Sequence, residues 1–138
     1  QAGCIKDMLF MLQKEVVDRM CAAPGGKEYG RLSVMIQYRC AVEKLFDVAP
    51  GAFTPPPKVD SSVTRLVPHA TPPVSVKDEV QFSQVVRAAF ASRRKTLRNN
   101  MKGLLSAEQM LALGIDPTRR AETLSLAEFA ALSNATTA

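Results

Sequence analysis

The chain of 138 residues has no tryptophan, one histidine and three cysteines. Cys4, Cys21 and Cys40 stand far apart with no Cys-x-x-Cys spacing, and His69 is the sole imidazole. That donor set argues against a metal site, and free thiols fit a reducing compartment. No apolar run reaches membrane-spanning length and no secretory leader is recognisable, so no membrane partner is expected. Glycine is missing where a cofactor would need it. Gly25-Gly26 and Gly30 follow a helical pattern and form no Gly-x-Gly turn after a strand. Acid is missing from one stretch: Arg87 to Lys102 holds Arg87, Arg93, Arg94, Lys95, Arg98 and Lys102 with no Asp or Glu. The chain has 18 bases and 13 acids in all, so the net charge of +5 is one local feature. Such a feature points to a polyanionic partner.

A hydrophobic content of 46% supports a packed core, in one ordinary domain or two small ones. Asp7 to Gln13 is a short apolar run that suits a strand buried on both faces. Lys14 to Ala23 reads as a helix that stops before Pro24-Gly25-Gly26, with Lys14 and Glu15 as structural residues at its start. A second helix is expected over Gly30 to Cys40 and a strand over Ala41 to Val48. Val59 to Val67 alternates as a further strand, with Val59, Val63 and Val67 on one side. The last two strands are expected to form an antiparallel hairpin in an α/β sheet. Three strands make a small sheet for such a fold, and the first begins within a few residues of the start; the chain is expected to begin inside a domain.

Pro68-His69-Ala70-Thr71-Pro72-Pro73 reads as a linker, and everything beyond it looks helical. The expected division is 1–69, 70–76 and 77–138. Val80 to Leu105 forms one long helical pattern, with Phe82, Val86, Ala89, Phe90, Leu97 and Leu104 as its apolar stripe. On that wheel Arg87, Arg94, Arg98 and Lys102 project together from the other side, with Lys95 beside them. Arg93 falls inside the apolar stripe, which suits a snorkelling side chain or a bridge to the neighbouring domain. Acid-free basic faces are unusual for a merely solvated helix, which gains from i,i+4 pairs of opposite sign. Ser106 with Gln109, and Ser125 with Glu128, are capping boxes, Gly114 is placed to end a helix, and Asp116-Pro117 reads as the start of another. The tail from Ser133 is expected to fray.

Phe53-Thr-Pro-Pro-Pro-Lys-Val-Asp-Ser61 stands between the last two strands. Three prolines in a row exclude a helix interior or a central strand, because each lacks an N–H and fixes φ. A stiff loop of this kind presents an aromatic ring to a flat ligand or packs it into the core; both readings stand. Lys58 beside it is a phosphate contact or an ordinary surface lysine.

Four segments in this order, Phe10-Met-Leu-Gln-Lys-Glu-Val17, Tyr29-Gly-Arg-Leu-Ser-Val34, Phe53 to Ser61 and Arg93-Arg-Lys-Thr-Leu-Arg98, are specific in combination. From about Cys4 to Asn134 the chain resembles the small-subunit ribosomal RNA adenine dimethyltransferases, the kasugamycin-sensitivity enzymes of bacteria. Gly114-Ile-Asp-Pro-x-x-Arg-Ala-Glu122 favours these over the sister erythromycin-resistance rRNA methyltransferases. The resemblance implies an α/β plus α architecture, namely the last strands of a Rossmann-like methyltransferase sheet followed by a small helical domain. It implies S-adenosylmethionine-dependent dimethylation of N6 on two adjacent adenines near the 3′ end of 16S RNA, in the cytoplasm, by a monomer acting on the 30S subunit. By the same resemblance Phe53 stacks on the target adenine, while Arg87, Arg94, Lys95, Arg98, Lys102 and Lys58 meet RNA. The family's Gly-rich cofactor loop and Asn-Leu-Pro-Tyr motif precede the matched part, so no cofactor-binding residue is expected here. The chain itself is expected to be inactive and prone to self-association. Two other classes remain: a non-enzymatic RNA- or ribosome-binding module, and a helix-turn-helix DNA binder built from Ser106 to Leu132.

Overall fold

The computed structural model describes residues 7–49 and 60–136. The elements run β1 (Met8–Gln13), α1 (Lys14–Cys21), α2 (Arg31–Arg39), β2 (Cys40–Val48), β3 (Ser61–Pro68), α3 (Glu79–Ala89), α4 (Leu97–Asn100), α5 (Ala107–Ala112) and α6 (Leu126–Thr136), with a 3₁₀ turn at Ala121–Thr123. The strands form one sheet in the order β1-β3-β2, and β3 is antiparallel to both neighbours. The expected hairpin is thus present, with β3 rather than β1 at the sheet centre.

Opposed residues of an antiparallel pair share a face, so the register assigns the two sides of the sheet. Leu12, Ser62, Thr64, Leu66 and Val42 lie towards α1 and α2; Leu66, Met20 and Cys40 form a small core there with Val16 and Ile36. The buried side of β3 is therefore Ser62, Thr64 and Leu66, and the valines Val63 and Val67 lie on the other side, half-buried. The hydroxyls are tolerated because each finds an acceptor, Thr64 at the Glu43 carbonyl and Ser62 at the Asp47 carboxylate.

The expectation that β1 is buried on both faces does not hold. Leu9 is 63% exposed and Met11 53%. On the face they share with Val63 and Phe46, no described helix packs, and β1 is the sheet edge. A bulge between Lys44 and Phe46 changes the phase of β2, which brings Lys44 and Asp47 to the helix side together. There the Lys44 ammonium pairs with Asp18 and Asp47, and Lys14 pairs with Asp18.

The main core joins both halves of the sequence. Tyr29, Val34 and Tyr38 pack with Phe82, Val85, Val86, Ala89, Leu97, Met101, Phe129 and Leu132. Tyr38 and Phe82 rings lie 4.9 Å apart, and across the Pro68–Pro73 segment Glu79 accepts from the Tyr38 hydroxyl and pairs with Arg39.

The single helix expected over 80–105 is broken. α3 ends at Ala89, a turn occupies 90–96, and α4 is one short turn from Leu97. The Asn100 side-chain amide explains the break: it donates to the carbonyls of Ala89 and Ser92, at 2.9 and 2.8 Å, supplying partners that a continued helix would otherwise provide. The apolar phase shifts accordingly, so Met101 and Leu105 are buried while Leu104 is exposed. Both capping boxes form as expected, at Ser106–Gln109 and Ser125–Glu128. Gly114 follows the end of α5 at φ +80°, where a side chain would be strained. Asp116-Pro117 starts no helix; the Asp116 carboxylate accepts from the Thr118 N–H and hydroxyl, closing an Asx turn instead. α6 does not fray at Ser133 but runs to Thr136, tied by Asn134 to the Ser75 carbonyl and the Lys77 N–H.

Candidate nucleic-acid interface

The six bases of the acid-free stretch lie on three pieces of backbone. Arg87 is in the last turn of α3, Arg93, Arg94 and Lys95 follow in the turn, Arg98 is on α4, and Lys102 lies just after it. All six residues are exposed. The straight ridge of a single helix is replaced by a bent one, because the helix on which it was drawn is interrupted.

The bent segment is firmly anchored. Leu97 and Met101 are fully buried. The Leu97 N–H donates to the Arg119 carbonyl at 2.7 Å and the Arg98 N–H to the Pro117 carbonyl at 2.9 Å. Arg119 is itself held by the Glu128 carboxylate at 2.6 Å, and this contact lowers the Glu128 pKa below the usual carboxylate range. Sequence reading missed Asn100 and Arg119 as supports; neither carries a pattern signal, since each acts on residues brought near by the fold.

Charge pairing separates these bases from six others, although Lys27, Arg31, Lys77 and Arg120 also make no ion pair among the described residues. Lys14, Arg19, Arg39, Lys44, Arg65 and Arg119 each pair with a carboxylate. Among the described residues, Arg87, Arg94, Lys95, Arg98 and Lys102 make no ion pair. Their charge is left for an external anion. Arg98 and Lys102 also border a groove of about 430 Å³ that Leu104, Ser106 and Gln109 help to line.

Arg93 behaves differently. Its guanidinium donates to the Tyr29 carbonyl at 2.6 and 3.2 Å and to the Lys27 carbonyl at 2.8 Å, and it lies 5.8 Å over the Phe90 ring. This is the bridge that its place in the apolar stripe suggested.

Phe53 and Lys58 lie outside the described residues. The described backbone approaching them ends near a cleft of about 280 Å³ lined by Gln13, Lys14, Glu15, Asp18, Glu28 and Asp60. The Lys14 N–H donates to the Asp60 carbonyl at 2.9 Å, fastening the start of β3 to the end of β1. Lys14 and Glu15 hold Asp18 and Arg19 across one helical turn, as structural residues would. The Lys14 hydrogen bond lowers the Asp18 pKa. Burial raises the pKa of the Cys21 and Cys40 thiols and pushes the Tyr29 phenol up to about 12, so none of the three is an activated nucleophile. Among the described residues no His, Cys, Asp and Glu side chains cluster to hold a metal, and no helix is long and apolar enough to cross a membrane.

Comparison with known proteins gives this arrangement a context. A family model described as ribosomal RNA adenine dimethylase matches residues 1–138. Curated relatives named ribosomal RNA small subunit methyltransferase A are 59% identical in Pseudomonas putida and 61% identical in Laribacter hongkongensis. Each alignment runs over 133 residues, 96% of this chain and 50% and 51% of the respective relative. The chain thus spans about half the length of the curated relatives it matches. Among solved structures, a dimethyladenosine transferase from Plasmodium falciparum superposes with a TM-score of 0.76 at 24% identity, over 92% of this chain and 55% of that one. The 23S rRNA methyltransferase ErmE gives 0.65 at 20% identity, over 94% and 54%. These two likenesses support the expected fold, part of a methyltransferase sheet followed by helices. By the match of its whole length and the identity to its relatives, the chain belongs to the ribosomal RNA adenine dimethylase family.

Proposed function

We propose that this chain is the C-terminal half of an S-adenosylmethionine-dependent enzyme that dimethylates N6 of two adjacent adenines near the 3′ end of 16S rRNA, acting on the 30S subunit in the cytoplasm. The observation that carries the RNA half of this reading is the exposed, unpaired set Arg87, Arg94, Lys95, Arg98 and Lys102. The family of the chain and the names of its relatives support the substrate. Residues 1–69 contribute to the methyltransferase domain and 77–138 form the RNA-binding unit, with 70–76 as the join.

The described residues do not fit the methyl donor. β1 passes into α1 at Gln13–Lys14 without a glycine, and four of the six residues lining the cleft there carry carboxylates. What this chain contributes is binding and placement. The bases hold phosphates, Lys58 adds a contact near the loop, and Phe53 stacks on an adenine drawn out of its strand, which offsets part of the cost of unstacking. N6 of adenine is a weak nucleophile because its lone pair conjugates with the ring, so alignment carries much of the catalysis.

In the full-length enzyme, Phe53→Ala should lower the methylation rate on 30S subunits at saturating RNA more than it weakens RNA binding. Equal losses in rate and affinity would indicate that the ring only packs. Tighter binding to duplex DNA than to RNA at matched salt would overturn the assignment of the basic surface.

A further inference from the structure

We infer that Arg93 is a positioning residue that joins the RNA-facing turn to the wall of the cleft at the end of β1, and is not itself a phosphate contact. This rests on the proposed reading that the neighbouring bases bind RNA and that Phe53, seven residues before Asp60 on the cleft, meets the target adenine.

Three consecutive bases, Arg93, Arg94 and Lys95, leave the end of α3 together. The side chains of Arg94 and Lys95 make no ion pair among the described residues, whereas Arg93 spends both terminal nitrogens on the carbonyls of Lys27 and Tyr29. Those two carbonyls flank Glu28, which lines the cleft with Gln13, Lys14, Asp18 and Asp60. Other ties of the 25–30 segment include a local set around Ser33, whose hydroxyl donates to the Glu28 carbonyl at 3.4 Å and accepts from the Gly30 N–H at 3.1 Å. One distant link is the Gly25 N–H donating to the Glu122 carbonyl at 2.7 Å. Tyr29 is buried with its ring edge-on to Phe90, the same ring that Arg93 covers. Gly30 adjoins the guanidinium, and a Cβ there would make an ordinary contact 3.4 Å from Arg93 Nη1.

The chemistry selects arginine. A planar guanidinium spans two carbonyls at once, whereas a lysine ammonium is a point charge that keeps the charge and loses the fork. RNA engaging Arg94 and Lys95 fixes the turn, and Arg93 passes that fixed position to the backbone on both sides of Glu28. A displacement of about 1 Å at a reacting centre costs on the order of a hundredfold in rate, so a modest loosening is readable.

The test compares Arg93→Lys, Arg93→Ala and Arg94→Ala in the full-length enzyme. For both Arg93 variants kcat at saturating 30S subunits should fall about tenfold or more, with RNA affinity and its salt slope unchanged. Arg94→Ala should show its loss in KM, with the salt slope reduced by about one unit. Amide hydrogen exchange over 25–31 should quicken in Arg93→Lys and not in Arg94→Ala. The inference is overturned if Arg93→Lys keeps the full kcat, if Arg93→Ala lowers the salt slope as Arg94→Ala does, or if exchange quickens throughout the core rather than over 25–31. If wild-type enzyme fails to methylate, or Arg94→Ala leaves the slope unchanged, the proposed function fails instead; the exchange comparison still decides the contact.

Discussion

An arginine in this chain takes its meaning from what its guanidinium meets. Arg39, Arg65 and Arg119 meet carboxylates, Arg93 meets backbone carbonyls, and Arg94 and Arg98 meet solvent. Arg94 and Arg98, like Arg87, Lys95 and Lys102 in the same stretch, are free to release counterions from a nucleic acid. Replacing Arg94 and Arg98 together by alanine should weaken RNA binding and reduce the slope of log affinity against log salt by about two units. Titration at several salt concentrations measures this directly, and an unchanged slope would show that this surface meets no phosphate. The acid-free stretch was legible in the sequence because charge composition needs no fold. The role of Arg93 was legible for an incomplete reason. Its place in an apolar stripe assumed a continuous helix, yet the bridge is made from the turn that interrupts that helix. Nothing local to Asn100 announced that it would cap α3, since its acceptors are eight and eleven residues away.

Among elements, local punctuation gave the reliable boundaries. Pro24-Gly25-Gly26 bounds α1, Gly114 follows α5, and two Ser-x-x-Gln/Glu boxes start α5 and α6, each through a backbone group satisfied within a few residues. The break at 90–96 contains neither glycine nor proline, so propensity passes straight through it. What ends α3 is a tertiary device. Asn100→Ala should therefore destabilise the fold by about 1–2 kcal/mol, because two carbonyls lose charge-neutral but well-aligned donors in a part-buried setting. Urea unfolding provides the measure. A change below about 0.5 kcal/mol, the scale of an ordinary surface substitution, would mean that water replaces the amide without cost. Asp116-Pro117 shows the opposite error, where a helix-start pattern closes only an Asx turn. Pro117 is buried and its carbonyl is taken by the Arg98 N–H, so the segment serves α4 rather than a helix of its own.

At the scale of the whole molecule, the described sheet is covered over part of one side and open on the other. α1 and α2 cover Leu12, Leu66 and Val42, while Leu9, Met11 and Phe46 surround Val63 on the opposite face, with Phe46 57% exposed. The apolar reading of β1 was correct about its residues; burial is a property of neighbours, and the described chain supplies them only around Leu12, since even Met8 and Phe10 on the helix side are exposed. Relatives about twice as long have further residues with which to cover that face and pair the free edge of β1. Among the described residues nothing covers that face or pairs the outer edge of β1, a combination that favours association between copies. The 138-residue chain should accordingly form concentration-dependent oligomers in sedimentation at micromolar concentration. Leu9→Lys with Phe46→Lys places charges on the open face, away from the helix-covered core, and should shift the chain to monomer with its far-UV spectrum retained. Wild-type chain that stays monomeric throughout that range would mean that the open face is tolerated in water. Oligomers that persist in the double variant would move the association to the β1 edge, where a proline in place of Met11 removes a ladder donor and provides the next discrimination.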